Sequence, residues 1–341
     1  MHPESPRTLP AASARTLAPP QFCALLYGLL LCGLGFVIYV LGVAIAFLRI
    51  FIDPQHLWST WVEPMVWYSG IPVVAGSGLI ALELFVLLPR KRAFQQEFVR
   101  WSPLPSTDVT VVLTAYNDEA SIGLAVADFR AHPKVRRVIV VDNNSQDGTA
   151  AAARAAGAVV VNEPRPGYGR CVWRALSEGL AHSDTALTLL CEGDMTFRAS
   201  DIDKFLAYSP HADIVNGTRI VEQLRARHTQ LTTFMYYGNF FTGKLLEAKH
   251  ISRGTFTDVG TTYKLCRNTA LERLLPLVKP AINLEFNAHF LDTALGHNFA
   301  IVECPVTFHN RVGESKGGNV SNLRALRVGL RMIKGIVLGW Q

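Results

Sequence analysis

The sequence predicts an α/β domain with a mostly parallel central sheet flanked by helices, preceded by a transmembrane helical hairpin. Short apolar runs alternate with helical stretches from residue 106 onward, which is the pattern of a parallel sheet covered by helices. Two long apolar segments come before that pattern. The first contains no charged residue between Phe22 and Leu48, which exceeds the roughly 20 residues needed to span a bilayer.

The second apolar segment runs from Pro64 to Leu88 and completes a predicted two-helix membrane hairpin over residues 22–89. It contains Glu83, a charge that lipid tolerates only near the end of a span or against a partner helix. Pro72 and Gly76 leave a re-entrant hairpin open as an alternative to a full span. A pair of core helices in a soluble domain is disfavoured, because the first segment is apolar on all sides.

The distribution of charge predicts where the hairpin lies. The 341-residue chain has a formal net charge of +6, yet residues 101–323 carry equal numbers of basic and acidic residues. The excess lies at residues 90–100 and 324–341, beside apolar segments, which indicates a membrane surface and argues against nucleic acid as a partner. Because Arg90–Arg92 follow the second segment directly, the positive-inside rule predicts a multi-pass membrane protein whose main domain is cytoplasmic. The scattered cysteines, without a CxxC pair, predict reduced thiols and no zinc site.

The chain divides into five predicted parts. A Pro-, Ala- and Ser-rich tail at residues 1–21 is expected to be disordered. The hairpin leads through a basic juxtamembrane linker, residues 90–106, into the main domain at 107–320. Residues 321–341 are predicted to form a basic amphipathic helix. Its basic residues are Arg324, Arg327, Arg331 and Lys334, and its apolar stripe is Leu326, Leu330, Ile333, Val337 and Trp340. This pattern predicts a helix on the cytoplasmic leaflet, with packing on the main domain or closure over a bound lipid phosphate as alternatives.

Within the main domain the elements are predicted in strict alternation. The strands are Val109–Thr114, Val138–Val141, Val159–Val161, Thr185–Leu190 and a short Ile214–Asn216. The helices run from about Glu119 to Ala131, from Gly148 to Ala156, from Tyr168 to Ala181, and from Ser200 to Tyr208 with Ser200 and Asp203 as a capping pair.

Polar residues follow three of these strands directly. Their segments are Thr114–Asp118, Asp142–Thr149 and Glu192–Asp194. In open parallel sheets, ligands bind outside the carboxyl ends of the strands. Paired carboxylates suit a hard cation such as Mg²⁺ or Mn²⁺, which bridges to a diphosphate. Each segment alone fits an ordinary turn or helix cap, but their recurrence at successive strand ends favours a binding site. The chain lacks the P-loop and dinucleotide-binding glycine motifs.

These three segments resemble the family 2 inverting glycosyltransferases of GT-A fold. The later segments Asp258–Arg267 and Val302–Lys316 look like the acceptor-side motifs of the dolichyl-phosphate mannosyltransferase-like branch, the polyprenyl-phosphate glycosyltransferases. The resemblance implies a GT-A nucleotide-sugar-binding domain over 107–320. It also implies transfer of a single sugar from a GDP- or UDP-linked donor to a polyprenyl phosphate, with Mg²⁺ or Mn²⁺ as cofactor.

The resemblance further implies roles for individual residues. The nucleotide-sugar would be bound by Ala115, Tyr116, Asp118, Asp142, Glu192 and Arg219. The metal would be bound by Asp194, with Glu192 and Thr196 as further ligands. Catalysis would rest on Asp194, Lys264 and Arg311, and phosphate would be held by Arg219, Lys264 and Arg311. The acceptor phosphate in particular would be bound by Arg311, Ser315 and Lys316. The chain departs from the family pattern where Glu192 replaces the usual Asp and where the hairpin precedes the domain.

The nature of the acceptor decides the mechanism. A phosphate monoester has a second pKa of about 6, so it is already a nucleophile near neutral pH and needs no base. A hydroxyl of a lipid-linked saccharide would need a carboxylate base, for which Glu285 is the candidate; a helix N-terminal acid is its simpler interpretation. A catalytically inactive membrane scaffold is a third hypothesis, disfavoured by the presence of Asp194, Lys264 and Arg311.

Overall fold

The computed structural model describes residues 23–52, 59–92, 100–227, 229–251, 253–313 and 321–340. The predicted disordered tail and residues 93–99 of the predicted linker lie outside the described residues.

The N-terminal part of the described chain is a helical hairpin. Its first arm is α1 (Ala24–Ile52), and its second arm comprises α2 (Ser59–Tyr68), α3 (Gly70–Leu82), a π-helical turn (Glu83–Leu87) and α4 (Leu88–Arg92). Two stretches, Ala24–Phe51 and Trp61–Arg90, are long and apolar enough to cross a membrane. Only 11% and 17% of the residues in their most apolar 18-residue stretches are buried, whereas core helices of a soluble domain would be mostly buried. Pro72 lies in the first turn of α3, where its missing N–H is not needed, so it does not break the second arm.

Glycines allow the two arms to approach closely. A Cβ atom on Gly28 would lie 2.7 Å from the carbonyl oxygen of Gly76, and one on Gly35 would lie 2.6 Å from that of Ser69. The side chain of Glu83 is buried at the end of the hairpin nearest the main domain, where its Oε2 accepts a 2.9 Å hydrogen bond from the backbone N–H of Ala24. Because a helix N-terminus carries unpaired N–H groups and a positive dipole end, this position stabilises a carboxylate in an apolar segment.

The main domain is built on one seven-stranded sheet. Its strands are β1 (Val109–Ala115), β2 (Val135–Asp142), β3 (Val159–Asn162), β4 (Leu187–Glu192), β5 (Ile214–Thr218), β6 (Lys264–Arg267) and β7 (Ile301–Pro305). The order is β3-β2-β1-β4-β6-β5-β7, and β6 is antiparallel to both of its neighbours while the other pairs are parallel. The mostly parallel sheet and its first five strands are therefore confirmed. Strands β6 and β7 were not predicted.

Helices cover both faces of the sheet and enclose two cores. The helices are α5 (Glu119–Arg130), α6 (Thr149–Ala155), α7 (Tyr168–Leu180), α8 (Ile202–Tyr208), α9 (Thr233–Lys249), α10 (Asn268–Leu274), α11 (Phe286–Gly296) and α12 (Asn322–Leu338). One core lies between the sheet and α5, α6 and α8, and the other between the sheet and α7, α10, α11 and α12. The predicted capping pair at Ser200 is wrong, because a 3₁₀ turn at Ala199–Asp201 precedes α8, which begins at Ile202.

Helix α12 is present as predicted, but the residues that it buries differ from the predicted apolar stripe. Val328, Met332 and Ile336 are buried in the core that α12 shares with α11. Leu326 and Leu330, from the predicted apolar stripe, remain 43% and 56% exposed. The helix therefore packs on the main domain, which was the alternative to a helix lying on the membrane surface.

The described end of the predicted linker is attached to the domain. Both terminal nitrogens of Arg100 donate to the carboxylate of Asp213, at 2.8 and 2.6 Å, and the N–H of Ser102 donates to the carbonyl of Pro210 at 2.9 Å. Residues from Arg100 onward thus belong to the domain rather than to a free linker.

Candidate active site

A cavity of about 950 Å³ opens at the carboxyl ends of β1 and β4 and extends between α9 and α12. Its inner half is polar and is lined by Tyr116, Asp118, Asn143, Asn144, Glu192, Asp194, Arg219 and Arg311. Its outer half is largely apolar and is lined by Leu231, Phe234, Met235, Tyr237, Phe241, Leu326, Val328, Leu330, Met332 and Ile333. One cavity thus joins a charged compartment to an apolar groove.

The register of the sheet brings the predicted strand-end residues together. Ala115 pairs with Asp142 across β1 and β2, and Thr114 pairs with Glu192 across β1 and β4. The loops that follow β1 and β2 also hold each other. The N–H of Asn117 donates to the Ser145 hydroxyl at 2.9 Å, and the side-chain oxygen of Asn117 accepts from the N–H of Gln146 at 2.7 Å.

Asp194 is the most constrained carboxylate of the site. It is 2% exposed, and its Oδ1 accepts hydrogen bonds from the N–H of Thr196 at 3.0 Å and from the Thr196 hydroxyl at 2.5 Å. Its Oδ2 lies 3.1 Å from Nη1 of Arg311. Thr196 does not line the cavity. Thr196 therefore orients the Asp194 carboxylate, and its predicted role as a metal ligand has no support in the structure.

Glu192 lies beside Asp194 in the same compartment. Its Oε1 accepts a 2.7 Å hydrogen bond from the hydroxyl of Thr262, with the Tyr168 hydroxyl 3.5 Å away. Burial, followed by the negative charge of Asp194, raises the pKa of Glu192 to about 7. A cation bound here would stabilise the ionised form of Glu192, which burial and the charge of Asp194 disfavour.

The donor set fits Mg²⁺ or Mn²⁺ in a particular way. Among the residues that the structure describes, no group of three or more His, Cys, Asp or Glu side chains could hold a metal. Mg²⁺ is commonly bound through one or two carboxylates, with water and substrate phosphates completing the shell. Asp194 and Glu192 match that pattern, so they fit a cation that is shared with a diphosphate rather than an all-protein metal centre.

Two arginines supply the positive charge of the polar compartment. Arg311 bridges two strand ends, with Nη2 3.0 Å from Oδ1 of Asp118 and Nη1 on Asp194. Arg219 is held by a two-pronged pair with the buried carboxylate of Asp258, at 2.6 and 2.8 Å. Both arginines line the cavity, as expected for groups that bind phosphate.

Predicted nucleotide-binding residues divide into two groups. Ala115, Tyr116 and Asp118 line the cavity, and Tyr116 is 47% exposed. Asp142 is buried outside the cavity wall, where its Oδ1 accepts hydrogen bonds from the backbone and hydroxyl of Ser145. The predicted contact between Asp142 and the base is therefore not supported, and Asn143 and Asn144 stand at the wall in its place.

Two predicted catalytic residues lie outside the cavity. Lys264 is 1% exposed within β6, where its Nζ contacts the carbonyl of Thr261 and lies 3.3 Å from the side-chain oxygen of Asn287. Burial lowers the pKa of Lys264 to about 7. Because Lys264 does not line the cavity, the structure gives no support to its predicted contact with phosphate. Glu285 precedes α11 and pairs with Arg331, so it lacks the predicted access to an acceptor hydroxyl. Ser315 and Lys316 lie outside the described residues.

Sequence reasoning missed a buried polar network and the apolar wall. The amide nitrogen of Asn287 donates to the Tyr168 hydroxyl at 2.9 Å and to the carbonyl of Gly260 at 3.2 Å, which fixes the floor of the cavity. The wall comes from α9, whose first half is dense in aromatic residues; Phe234, Tyr237 and Phe241 are 46%, 65% and 58% exposed. That density of aromatic residues was the available sequence signal.

The helices of the apolar groove also contact the hairpin. The thiol of Cys23 donates to the carbonyl of Ala248 at the end of α9, at 2.9 Å. The hydroxyl of Tyr27 lies 3.3 Å from the carbonyl of Val337 near the end of α12. The groove and the hairpin are therefore parts of one packed unit.

Comparison with known proteins identifies the family. Residues 110–275 match the model of glycosyl transferase family 2. The chain is 41% identical over 112 residues to an uncharacterized glycosyltransferase of Mycobacterium tuberculosis, and the match covers 33% of the chain and 48% of that relative. It is 32% identical over 116 residues to protein RfbJ of Shigella flexneri, covering 33% of the chain and 87% of RfbJ. It is 28% identical over 210 residues to a dolichyl-phosphate hexose transferase of Haloferax volcanii, covering 61% of the chain and 86% of the relative.

Solved structures agree with the fold. A glucosyl-3-phosphoglycerate synthase from Mycobacterium tuberculosis, in complex with phosphoglyceric acid, aligns with a TM-score of 0.50 at 20% identity, over 69% of this chain and 81% of the synthase. The same synthase has been crystallised with Mn²⁺ and uridine diphosphate, at a TM-score of 0.49. The matched family model, the relatives and the sheet with its strand-end carboxylates lead to one conclusion: the chain belongs to glycosyltransferase family 2 and has a GT-A-like fold.

Proposed function

We propose that this protein is a membrane-bound inverting glycosyltransferase that transfers one sugar from a GDP- or UDP-linked donor to a polyprenyl phosphate. The observation that carries the proposal is the continuity of the cavity, whose polar half suits a nucleotide diphosphate and whose apolar half suits an isoprenoid chain. A water-soluble acceptor would gain nothing from an apolar groove, whereas each buried CH₂ of a lipid contributes about 0.8 kcal/mol.

The polar half has the groups that departure of a nucleoside diphosphate requires. Mg²⁺ or Mn²⁺, held by Asp194 and Glu192, would neutralise charge that develops on the leaving diphosphate. Arg219 stands preoriented by Asp258 on the same wall, so it needs little reorganisation to bind a phosphate oxygen. Tyr116 and Asp118 at the end of β1 would receive the nucleoside.

A phosphate acceptor agrees with the carboxylates that line the cavity. Within the described lining they are Asp118, Glu192 and Asp194, and each already has an arginine or hydroxyl partner. Since a phosphate monoester is itself the nucleophile, no further carboxylate is needed. The alternative with a hydroxyl acceptor has less support, because its candidate base Glu285 is paired with Arg331 and does not line the cavity.

The hairpin would bring this site to its lipid. Both arms end beside the main domain, where Glu83 meets Ala24, and the basic residues Arg90–Arg92 follow at that end. By the positive-inside rule, that end and the catalytic domain face the cytoplasm. The relative from Haloferax volcanii, whose name gives dolichyl phosphate as its substrate, supports the same class of acceptor.

The direct test is chromatographic detection of a radiolabelled lipid product. Membranes containing the protein would be incubated with a panel of GDP- and UDP-sugars and either a polyprenyl phosphate or a lipid-linked saccharide. We expect one donor to label the polyprenyl phosphate in a metal-dependent reaction that Asp194→Asn slows about 10²–10³-fold. Labelling of the saccharide alone would contradict the phosphate acceptor, and no transfer to either lipid with any donor would contradict the activity.

A matched pair of variants on α12 tests the groove. Leu330 lines the groove, whereas Leu323 on the same helix is 70% exposed and does not line it. We expect Leu330→Ser to raise the KM for polyprenyl phosphate about tenfold, as loss of one leucine contact predicts, and to leave the donor KM unchanged. Leu323→Ser should alter neither. Equal effects of both variants would remove the groove as the lipid site.

A further inference from the structure

The carboxylate of Asp194 has one oxygen without a hydrogen bond from Thr196, and Arg311 is ion-paired with that oxygen. Oδ1 is taken by two hydrogen bonds from Thr196, at 3.0 and 2.5 Å. Oδ2 lies 3.1 Å from Nη1 of Arg311, whose side chain is only 13% exposed. A divalent cation that binds Asp194 through this oxygen therefore meets a resident guanidinium.

We infer that Arg311 is a resident counter-ion that a divalent cation displaces from Asp194, and that this exchange couples cation binding to nucleotide binding. The inference rests on the proposed function, because it takes Asp194 as the residue that binds the cation. It adds an order of events. In the free protein, Arg311 stays paired with Asp194 and Mn²⁺ or Mg²⁺ binds weakly. The nucleoside diphosphate supplies phosphate oxygens that bind both the metal ion and the guanidinium of Arg311, so both can remain in the site.

The structure supports an exchange confined to the side chain. The backbone around Arg311 is fixed to the loop after β4, since the N–H of His309 donates to the carbonyl of Thr196 at 2.9 Å and that of Val312 donates to the carbonyl of Asp194 at 3.1 Å. The guanidinium has a second partner in Asp118, at 3.0 Å, so it remains paired when it leaves Asp194.

The guanidinium also has unused bonding capacity. Nε of Arg311 is buried and has no hydrogen-bond partner in the described structure. Buried donors are normally paired, because an unsatisfied one costs free energy. Arg311 lines the cavity, so a phosphate oxygen arriving with the nucleotide would provide both the missing partner and the replacement for Asp194. By linkage, the nucleotide then strengthens cation binding by the same factor as the cation strengthens nucleotide binding.

The test measures Mn²⁺ binding by electron paramagnetic resonance on the full chain in detergent micelles, with and without UDP or GDP. We expect the wild type to bind Mn²⁺ weakly alone and at least about tenfold more tightly with the matching nucleotide. Arg311→Gln should bind Mn²⁺ without nucleotide at least about tenfold more tightly than the wild type, because the cation no longer competes with a guanidinium that is ion-paired with Asp194. Arg311→Lys, which keeps the charge without the fork, should lie between them.

Arg324→Gln is the matched control, because Arg324 also lines the cavity but is exposed on α12. It should leave Mn²⁺ affinity unchanged. An increase equal to that of Arg311→Gln would mean that removing any positive charge from the cavity strengthens Mn²⁺ binding, and this would overturn the inference. Equal Mn²⁺ affinity in the wild type and both Arg311 variants would also overturn it. If the wild type binds no Mn²⁺ with any nucleotide, the proposed metal site itself fails. Thermal melting of each variant identifies any that is misfolded.

Discussion

Replacing Lys264 with methionine separates a structural lysine from a catalytic one. Lys264 matches a position that the family resemblance assigns to phosphate, yet the structure buries it in β6 and away from the cavity. Methionine keeps the length of the side chain and removes the charge. We expect sugar transfer to stay within about threefold of the wild-type rate, because no substrate contact is lost.

The stability of this variant should depend on pH in a predictable direction. Burial lowers the pKa of Lys264 from 10.5 to about 7. Between those values the unfolded chain binds a proton that the folded chain does not, so the free energy of unfolding rises with pH by about 1.4 kcal/mol per unit. The destabilisation is fully present below pH 7 and disappears above the unfolded pKa. From pH 7 to pH 9, the wild type should therefore gain on the order of 3 kcal/mol relative to Lys264→Met.

The assay is denaturant unfolding of the detergent-solubilised protein at pH 7, 8 and 9, together with transfer activity at each pH. Lys334→Met removes the same charge from an exposed position on α12 and serves as the control, with no comparable pH trend expected. A difference between the wild type and Lys264→Met that does not change with pH would refute the burial argument. If Lys264→Met unfolds like the wild type but loses more than about a hundredfold in activity, Lys264 takes part in catalysis.

Three further changes test the site and its support. Asp194→Asn should lower the transfer rate about 10²–10³-fold at saturating metal, and retention of a tenth of the rate would contradict its role. In metal-free protein, the same variant should also lower the pKa of Glu192, measured by NMR titration. The reason is that the charge of Asp194 helps to raise that pKa to about 7. Glu285→Gln should leave the rate with a phosphate acceptor nearly unchanged. It should lower stability by no more than about 1 kcal/mol in thermal melts, because Arg331, which loses its charged partner, is 57% exposed to solvent. A fall in rate of 10²-fold or more would indicate a catalytic base. Met332→Ala should cost about 2–5 kcal/mol of unfolding free energy because Met332 is 8% exposed in the core, and a cost below about 0.5 kcal/mol would contradict the packing of α12.

Much of the architecture follows from local sequence patterns. Uninterrupted apolar runs mark the two arms of the hairpin, and the alternation of strands and helices marks β1 to β5 with their connecting helices. The strand-end acids could also be predicted, since parallel strands end at one edge of the sheet and place Glu192 beside Thr114. These features depend on hydrophobic periodicity and strand direction, which a single chain displays directly.

Other parts of the site depend on contacts between distant segments. β6 has four residues and enters antiparallel between β4 and β5, so nothing in its own sequence showed that Lys264 would be buried. Arg311 meets Asp118 across 193 positions of the chain, and Glu285 finds Arg331 only because α12 packs beside α11.

The sequence by itself determined the family motifs, the order of β1 to β5 with their connecting helices, and the apolar hairpin. Only the tertiary structure decided which charged groups share the cavity, which are buried away from it, and that α9 and α12 form an apolar groove beside the polar site. The physical reason is that packing of distant segments selects one face of each helix and one neighbour for each strand. In α12, packing buried Val328, Met332 and Ile336, while Leu330 was left 56% exposed where the helix lines the groove.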